Sequence, residues 1–129
     1  FFSLALAKQG IDVIGIESES SAIASAKENA KANKLKIDFR VSKVENIAWE
    51  QEEADTIIID PPRAGLHPDV IQTILSARPK NIIYVSCNYK RFFKEFSLLQ
   101  NSYKIDSMTA LDLFPHTPHI ELVTSLKRL

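Results

Sequence analysis

The feature that most constrains the fold of this chain is the alternation of short apolar strands with amphipathic helices. The strand predicted over Thr56–Asp60 is apolar until it ends at an acid, as a strand buried on both faces does. Asp60-Pro61-Pro62 breaks this strand, a helix runs from His67-Pro68 to Pro79, and Asn81–Ser86 forms the next buried strand. This alternation predicts an α/β fold with a doubly wound, mostly parallel sheet.

The remaining segments extend the same pattern. The other predicted helices are Phe2–Gln9, Ser20–Asn33 and Tyr89–Gln100, and the other predicted strands are Ile11–Glu17, Ile37–Ser42, Tyr103–Leu113 and Ile120–Leu126. The link between the last two strands is too short for a crossover, so these strands should pair antiparallel. Asn88 is predicted to cap the Tyr89–Gln100 helix. The residues predicted to face inward on that helix are Phe92, Phe93, Phe96 and Leu99.

Composition excludes several classes of protein. The 16 basic and 16 acidic residues give a net charge of zero, so the chain as a whole is not a basic nucleic-acid-binding surface. The three glycines, Gly10, Gly15 and Gly65, do not have the spacing of a GxGxxG motif, and Gly15 is not followed by the Lys-Ser/Thr pair of a P-loop. The single cysteine, Cys87, excludes an internal disulfide and has no zinc-binding cluster around it, which fits a reducing, cytoplasmic setting.

The start of the sequence indicates a longer parent. It begins at Phe1 rather than at a methionine, and its only methionine is Met108. We therefore expect residues 1–129 to be one partial domain, the C-terminal part of a longer protein, with the first strand and a Gly-rich cofactor loop lying before Phe1.

Four chemically useful side chains are expected at one edge of the sheet. Glu17 and Asp60 each end a predicted strand, and Cys87 directly follows another. The last strand runs in the opposite direction, so Glu121 near its start lies at the same edge. Ligands of open α/β sheets bind beyond the carboxyl ends of the strands, so we expect these side chains to converge on a ligand.

The residue types allow more than one role at each position. Glu17 could accept hydrogen bonds from the ribose hydroxyls of a nucleotide cofactor, or be a solvated acid. Cys87 precedes a helix whose dipole, with Lys90 and Arg91, favours the nucleophilic thiolate, although a lone cysteine is commonly structural. Asp60 begins a rigid segment with Pro61 and Pro62 that could support a flat ring, or it could simply end the strand.

Two further positions remain open in the same way. Arg63 could pair with a phosphate or a carboxylate, or form a surface ion pair. Glu121 could act as a base or be an acid that points outward from an edge strand.

Three segments together resemble the signature motifs of the RNA uracil-C5 (5-methyluridine) methyltransferases. They are Asp60–Gly65 (DPPRAG), Tyr84–Asn88 (YVSCN) and Leu111–Glu121 (LDLFPHTPHIE). The resemblance covers essentially the whole chain. It implies a Rossmann-like S-adenosylmethionine-dependent methyltransferase fold with a terminal antiparallel strand, and methylation of carbon 5 of a uridine in tRNA or rRNA.

The resemblance also implies residue roles. Cys87 would be the nucleophile that adds to carbon 6 of the uracil, and Glu121 the general base that removes the proton from carbon 5. Glu17 and Asp60 would contact S-adenosylmethionine, and no metal is implied. The residues expected to contact the RNA substrate are Asp60, Arg63 and Asn88. Regions upstream of the chain would complete the binding of RNA, so the chain alone is expected to be inactive.

The sequence departs from the family pattern at two positions and leaves alternatives open. Tyr89 and Arg91 stand where the family usually has Pro and Thr, which should reshape the pocket wall. An RNA 5-methylcytosine methyltransferase would typically place a second cysteine after its motif proline, and Pro62-Arg63 stands here. Amino-group methyltransferases would leave Cys87 and Glu121 unexplained. A non-catalytic RNA-binding or scaffold domain is the alternative outside enzymes.

Overall fold

Strands form at the predicted apolar runs of this protein, each followed by a turn or loop into the next element. The computed structural model describes residues 2–113, 115–117 and 120–129. Phe114, Pro118 and His119, which belong to the third motif, lie outside the described residues, as does Phe1. The chain divides into two compact units, residues 1–47 and residues 48–129.

The first unit is built around a parallel pair of strands. Its elements are α1 (Phe2–Ala7), β1 (Ile14–Glu17), α2 (Ser20–Ala32), β2 (Asp38–Val41) and a 3-10 turn at Val44–Asn46. Strand β1 pairs with β2 from Ile14 opposite Asp38 to Glu17 opposite Val41, and α2 makes the crossover that a parallel pair requires. Gly15 lets the Phe39 ring lie against β1, because a Cβ at Gly15 would be 2.6 Å from that ring.

The second unit carries a four-stranded mixed sheet. Its elements are α3 (Trp49–Glu52), β3 (Thr56–Ile59), α4 (Pro68–Ala77), β4 (Asn81–Ser86), α5 (Tyr89–Leu99), β5 (Tyr103–Leu111) and β6 (Glu121–Arg128). The strand order is β3-β4-β6-β5, with β3 parallel to β4 and β6 antiparallel to both of its neighbours. The predicted antiparallel pairing of the last two strands is therefore confirmed.

One face of this sheet forms the core of the second unit. Alternate residues of the paired strands are buried there, among them Ile82 opposite Leu126 and Tyr84 opposite Thr124. Helix α5 packs on this face, where the ring of Phe92 meets the Tyr84 ring edge-on with 5.1 Å between centroids. The buried side chains of α4 are Val70, Ile71 and Ile74.

The ends of the helices follow from local chemistry. Pro68 occupies the first turn of α4, and the His67 side chain accepts a hydrogen bond from the Asp69 amide at 3.4 Å. The Asn88 side chain caps α5, as predicted, by accepting a hydrogen bond from the Arg91 amide. None of the described helices is both long and apolar enough to cross a membrane.

Several details differ from the sequence predictions, including the exact bounds of most strands. Helix α1 ends at Ala7, because the chain turns through Gly10 at φ +81° before β1 begins at Ile14. The short helix α3 and the 3-10 turn before it were not predicted. The inward orientation predicted for Phe93 is wrong: this ring is 48% exposed, because it lies one position beyond Phe92, which points into the core.

Thr124 provides a test of the packing. Its side chain is fully buried and its Oγ1 has no hydrogen-bond partner among the described residues. A buried, unpaired hydroxyl costs roughly 1–3 kcal/mol. We therefore expect Thr124→Val, which is nearly isosteric, to raise the free energy of unfolding by about 1 kcal/mol in urea titrations.

Thr109, an exposed threonine of β5, provides the control. We expect Thr109→Val to change stability by less than about 0.5 kcal/mol. A loss of stability in Thr124→Val would mean that the Thr124 hydroxyl is paired in solution.

Candidate functional site

Three of the predicted site residues lie at one edge of the sheet in the second unit. Strands β3 and β4 are parallel, so Asp60 after β3 and Cys87 after β4 follow carboxyl ends on the same side. Strand β6 runs in the opposite direction and begins at Glu121. The last aligned pair of β4 and β6 is Ser86 opposite Leu122, so Cys87 and Glu121 adjoin that pair, one on each strand.

Exposure differs among these residues. Cys87 is a free thiol, and both it and Glu121 are half-buried. Asp60 is exposed. The edge therefore presents a thiol and a carboxylate, both partly shielded from water, next to a carboxylate that a ligand can reach.

Asn88 connects the strand that precedes Cys87 to the loop that follows Asp60. Its Oδ1 accepts a hydrogen bond from the Arg91 amide at 3.2 Å, and its Nδ2 donates one to the Arg63 carbonyl at 3.2 Å. Its own amide donates to the Ser86 Oγ at 3.1 Å. Both polar atoms of the Asn88 side chain thus bond to other parts of the protein. The predicted contact of Asn88 with the substrate stays a prediction.

The loop after β3 is held in a tight turn. The Gly65 amide donates to the Pro62 carbonyl at 2.7 Å, and Gly65 has φ +88°, in the region that favours glycine. A Cβ at Gly65 would come within 2.0 Å of the Glu95 carboxylate and 2.3 Å of Arg91 Nε. Arg63, which was predicted to contact substrate, is exposed on this loop.

Glu95 also belongs to this region, although it was not predicted from the sequence. Its side chain is buried in α5, and its Oε1 accepts hydrogen bonds from the Leu66 amide at 2.9 Å and from Arg91 Nε at 2.7 Å. Its Oε2 accepts a hydrogen bond from the Tyr84 hydroxyl. An acid between Phe92 and Leu99, on the buried stripe of an amphipathic helix, is the signal that could have identified it.

Tyr84 remains a hydrogen-bond donor in this arrangement. Burial, and secondarily its hydrogen bond to Glu95, raises the pKa of the Tyr84 hydroxyl well above its ordinary value of 10. The charge of Arg91 acts in the opposite direction and lowers this pKa, although by less than burial raises it. The Tyr84 hydroxyl therefore stays protonated at neutral pH and donates to Glu95.

Glu17 lies in the first unit, at the carboxyl end of β1, and is exposed. Its Oε1 accepts hydrogen bonds from the Glu19 amide at 3.1 Å and from the Ser18 Oγ at 3.0 Å. The Glu19 amide, followed by the Ser18 hydroxyl, lowers the pKa of the Glu17 carboxyl below its ordinary value of 4.5. The carboxylate is thus ionised at neutral pH, while its predicted convergence with Asp60 and Cys87 stays a prediction.

No group of three or more metal-ligating side chains occurs among the residues that the structure describes.

Comparison with known proteins identifies the family. The model of the family described as tRNA (Uracil-5-)-methyltransferase matches residues 2–129. The chain belongs to this family. The membership predicted from the DPPRAG, YVSCN and LDLFPHTPHIE motifs is therefore confirmed.

Relatives within the uracil-C5 methyltransferase family act on two kinds of RNA. A tRNA (uracil(54)-C(5))-methyltransferase of Pyrococcus horikoshii is 46% identical over 125 residues, which is 97% of this chain and 30% of the relative. A 23S rRNA (uracil(747)-C(5))-methyltransferase of Pyrococcus abyssi is 41% identical over 128 residues, covering 98% of this chain and 30% of the relative. The chain thus spans about a third of the length of these relatives.

Solved structures confirm the predicted methyltransferase fold. The Pyrococcus abyssi tRNA (uracil-54, C5)-methyltransferase, crystallised with S-adenosyl-L-homocysteine, superposes with a TM-score of 0.90 at 42% identity, over 97% of this chain and 30% of that one. A Streptococcus pneumoniae protein described as a putative tRNA (m1A22) methyltransferase, bound to S-adenosyl-L-methionine, superposes with a TM-score of 0.78 at 18% identity and shares the fold.

Gly65 and Gly10 form a matched pair for testing the turn after β3. Both have a similar positive φ, but a Cβ at Gly10 would meet no atom within 4 Å. We expect Gly10→Ala to cost only the left-handed backbone penalty, about 1–2 kcal/mol. Gly65→Ala should cost roughly 1–3 kcal/mol more, because Glu95 and Arg91 must move. Equal losses in chemical denaturation would show that the Glu95 contact does not constrain Gly65.

The Glu17 carboxyl provides a prediction about pH. Its hydrogen bonds stabilise the folded state fully above the ordinary pKa of 4.5, and this contribution is lost as the pH falls through the lowered value. We expect Ser18→Ala to raise the pKa of Glu17 in an NMR titration, since the donating Ser18 hydroxyl is removed. Ser21→Ala, a change on the exposed surface of α2, should leave it unchanged. An unaltered Glu17 titration in Ser18→Ala would contradict the assigned hydrogen bond.

Proposed function

We propose that the protein containing this chain methylates carbon 5 of a uridine in RNA, through a covalent adduct between Cys87 and the uracil. The observation that carries the proposal is the β4–β6 register, which supports a thiol and a carboxylate working at the same edge of one sheet. The family, and the functions named for its relatives, support uridine in tRNA or rRNA as the substrate.

The need for both Cys87 and Glu121 follows from the chemistry of uracil. Carbon 5 is too weak a nucleophile to take a methyl group unaided. Addition of the Cys87 thiolate to carbon 6 moves the electron pair of the 5,6 double bond into an enolate, which makes carbon 5 nucleophilic. S-adenosylmethionine, when bound, supplies the electrophilic methyl group that carbon 5 takes.

Glu121 is proposed to complete the reaction as the general base. Its carboxylate accepts the proton from the methylated carbon 5. The electron pair of that C–H bond re-forms the 5,6 double bond, and Cys87 leaves carbon 6 as a thiolate. The target base must leave its stack to reach Cys87, which costs a few kcal/mol.

The described residues fit an S-adenosyl group. Glu17 is an ionised carboxylate at the end of a strand. A carboxylate in this position can accept hydrogen bonds from the two ribose hydroxyls of such a group. The Glu17 side chain is exposed, so the ribose hydroxyls can reach its carboxylate. Asp60 is proposed to contact the cofactor and the target uracil, and Arg63 and Asn88 to lie beside the RNA.

Trapping with 5-fluorouridine tests the nucleophile. The full-length protein would be incubated with S-adenosylmethionine and RNA carrying 5-fluorouridine, then run on a denaturing gel. Fluorine at carbon 5 cannot be removed as a cation by a base, so we expect a methylated covalent complex to accumulate and survive denaturation. We expect Cys87→Ala to show none.

Two outcomes of the trapping experiment would overturn the proposal. A complex that persists in Cys87→Ala would assign the adduct to another residue. Absence of any complex with unmethylated RNA, from a protein that binds S-adenosylmethionine, would favour another target atom or a non-catalytic RNA-binding domain.

Substitution of Glu121 separates the second half of the reaction from the first. With ordinary uridine, we expect Glu121→Gln to accumulate the methylated adduct and to lower turnover by about 10²–10⁴-fold, because the proton on carbon 5 has no acceptor. Asp106→Asn removes an exposed carboxylate from the same sheet and should leave turnover unchanged. Normal turnover in Glu121→Gln would assign the base elsewhere.

A further inference from the structure

Glu95 is a buried carboxylate with donors from three separate segments of the second unit. Glu95 is only 2% exposed. The donors are the Leu66 amide in the loop after β3, the Tyr84 hydroxyl on β4 and the Arg91 guanidinium on α5. Burying a carboxylate costs several kcal/mol unless its oxygens are paired, so this arrangement depends on all three segments staying in place.

These three segments carry or flank two of the proposed site residues. Leu66 lies at the end of the loop that starts at Asp60. Tyr84 precedes Cys87 on β4, and Arg91 follows it on α5. Glu95 is therefore the point at which the Asp60 loop is fastened to the strand and the helix on either side of Cys87.

The loop between Asp60 and Leu66 is restrained at several points. Pro61 and Pro62 restrict the backbone directly after Asp60. The Arg63 carbonyl is held by Asn88, and Leu66 is held by Glu95. Two anchors and a proline pair leave the loop little freedom, so loss of the Leu66 anchor would loosen the loop that begins at Asp60.

We propose that Glu95 is a positioning residue, which sets the distance between the Asp60 loop and the Cys87 nucleophile by binding the Leu66 amide. It acts through Leu66 and touches neither substrate nor cofactor. This inference rests on the proposed function, since Asp60 and Cys87 are taken to act on the same uracil. A misplacement of about 1 Å at a reacting centre can lower a rate by roughly 100-fold.

The main test compares Glu95→Gln with a stability control in the full-length protein. Glu95→Gln keeps the shape of the side chain but loses its charge, which weakens the bonds to Leu66 and Arg91. We expect the single-turnover rate of 5-fluorouridine adduct formation to fall about 10- to 100-fold at saturating RNA and S-adenosylmethionine. Ile74→Val lowers core stability on α4 without altering a hydrogen-bond donor to Glu95, and it should leave the rate unchanged.

Two further measurements separate positioning from simple loss of structure. Hydrogen exchange of the Leu66 amide should be faster in Glu95→Gln and unaltered in Ile74→Val. The milder Tyr84→Phe removes one donor to Glu95 and should slow the adduct several-fold; combined with Glu95→Gln it should add little, because both act through one carboxylate. Tyr84→Phe carries the test alone if Glu95→Gln does not fold.

The outcomes distinguish this inference from the proposed function. If the unaltered protein traps RNA and the Glu95→Gln and Tyr84→Phe proteins trap it within twofold of the same rate, the positioning role is wrong and the proposed function stands. If the unaltered protein forms no adduct, the proposed function fails and the positioning role fails with it. Slow trapping in Ile74→Val, equal to that in Glu95→Gln, would also overturn the inference, because stability alone would then explain the rate.

Discussion

The antiparallel insertion of β6 between β4 and β5 is the constraint on which the candidate site depends. In a fully parallel sheet, only residues that follow strands would reach the carboxyl edge, and a residue that begins a strand would lie at the far end. Because β6 runs against β4, its first residue, Glu121, reaches the edge where Cys87 leaves β4. Residues that are 34 positions apart in the chain are thus brought to one edge by backbone hydrogen bonds alone.

Much of this arrangement is predictable from the sequence because it depends on local patterns. Short, mostly apolar runs indicated β3 and β4, and the proline pair after Asp60 indicated where β3 stops. The short link before β6 indicated the direction of this strand. That direction in turn indicated that Glu121 lies at the same edge of the sheet as Cys87. Asn88 as a helix cap also follows from residue type and position.

What the sequence could not provide depends on contacts between distant segments. The stripe of α5 indicates that position 95 is buried, but the Leu66 amide that pairs with Glu95 is 29 residues away and the Tyr84 hydroxyl 11 residues away. Phe93 shows the opposite error, since an aromatic residue type suggested burial where the helical angle after Phe92 turns it to the surface. The lowering of the Glu17 pKa likewise depends on the turn geometry that aims the Glu19 amide at the carboxylate.

The outer strand of the four-stranded sheet, β5, has a consequence for association between chains. Strand β5 is nine residues long and is bonded on one side only within the described residues, so its outer backbone groups could accept a strand from another molecule. Its register shifts between Ile105 and Ser107, which leaves Asp106 as an extra residue, and Lys104 adds a charge beside it. This irregularity, which carries the charge of Asp106, interrupts the regular row of donors and acceptors that a growing aggregate would extend. The irregularity in β5 thus protects a long, exposed strand from pairing with copies of itself.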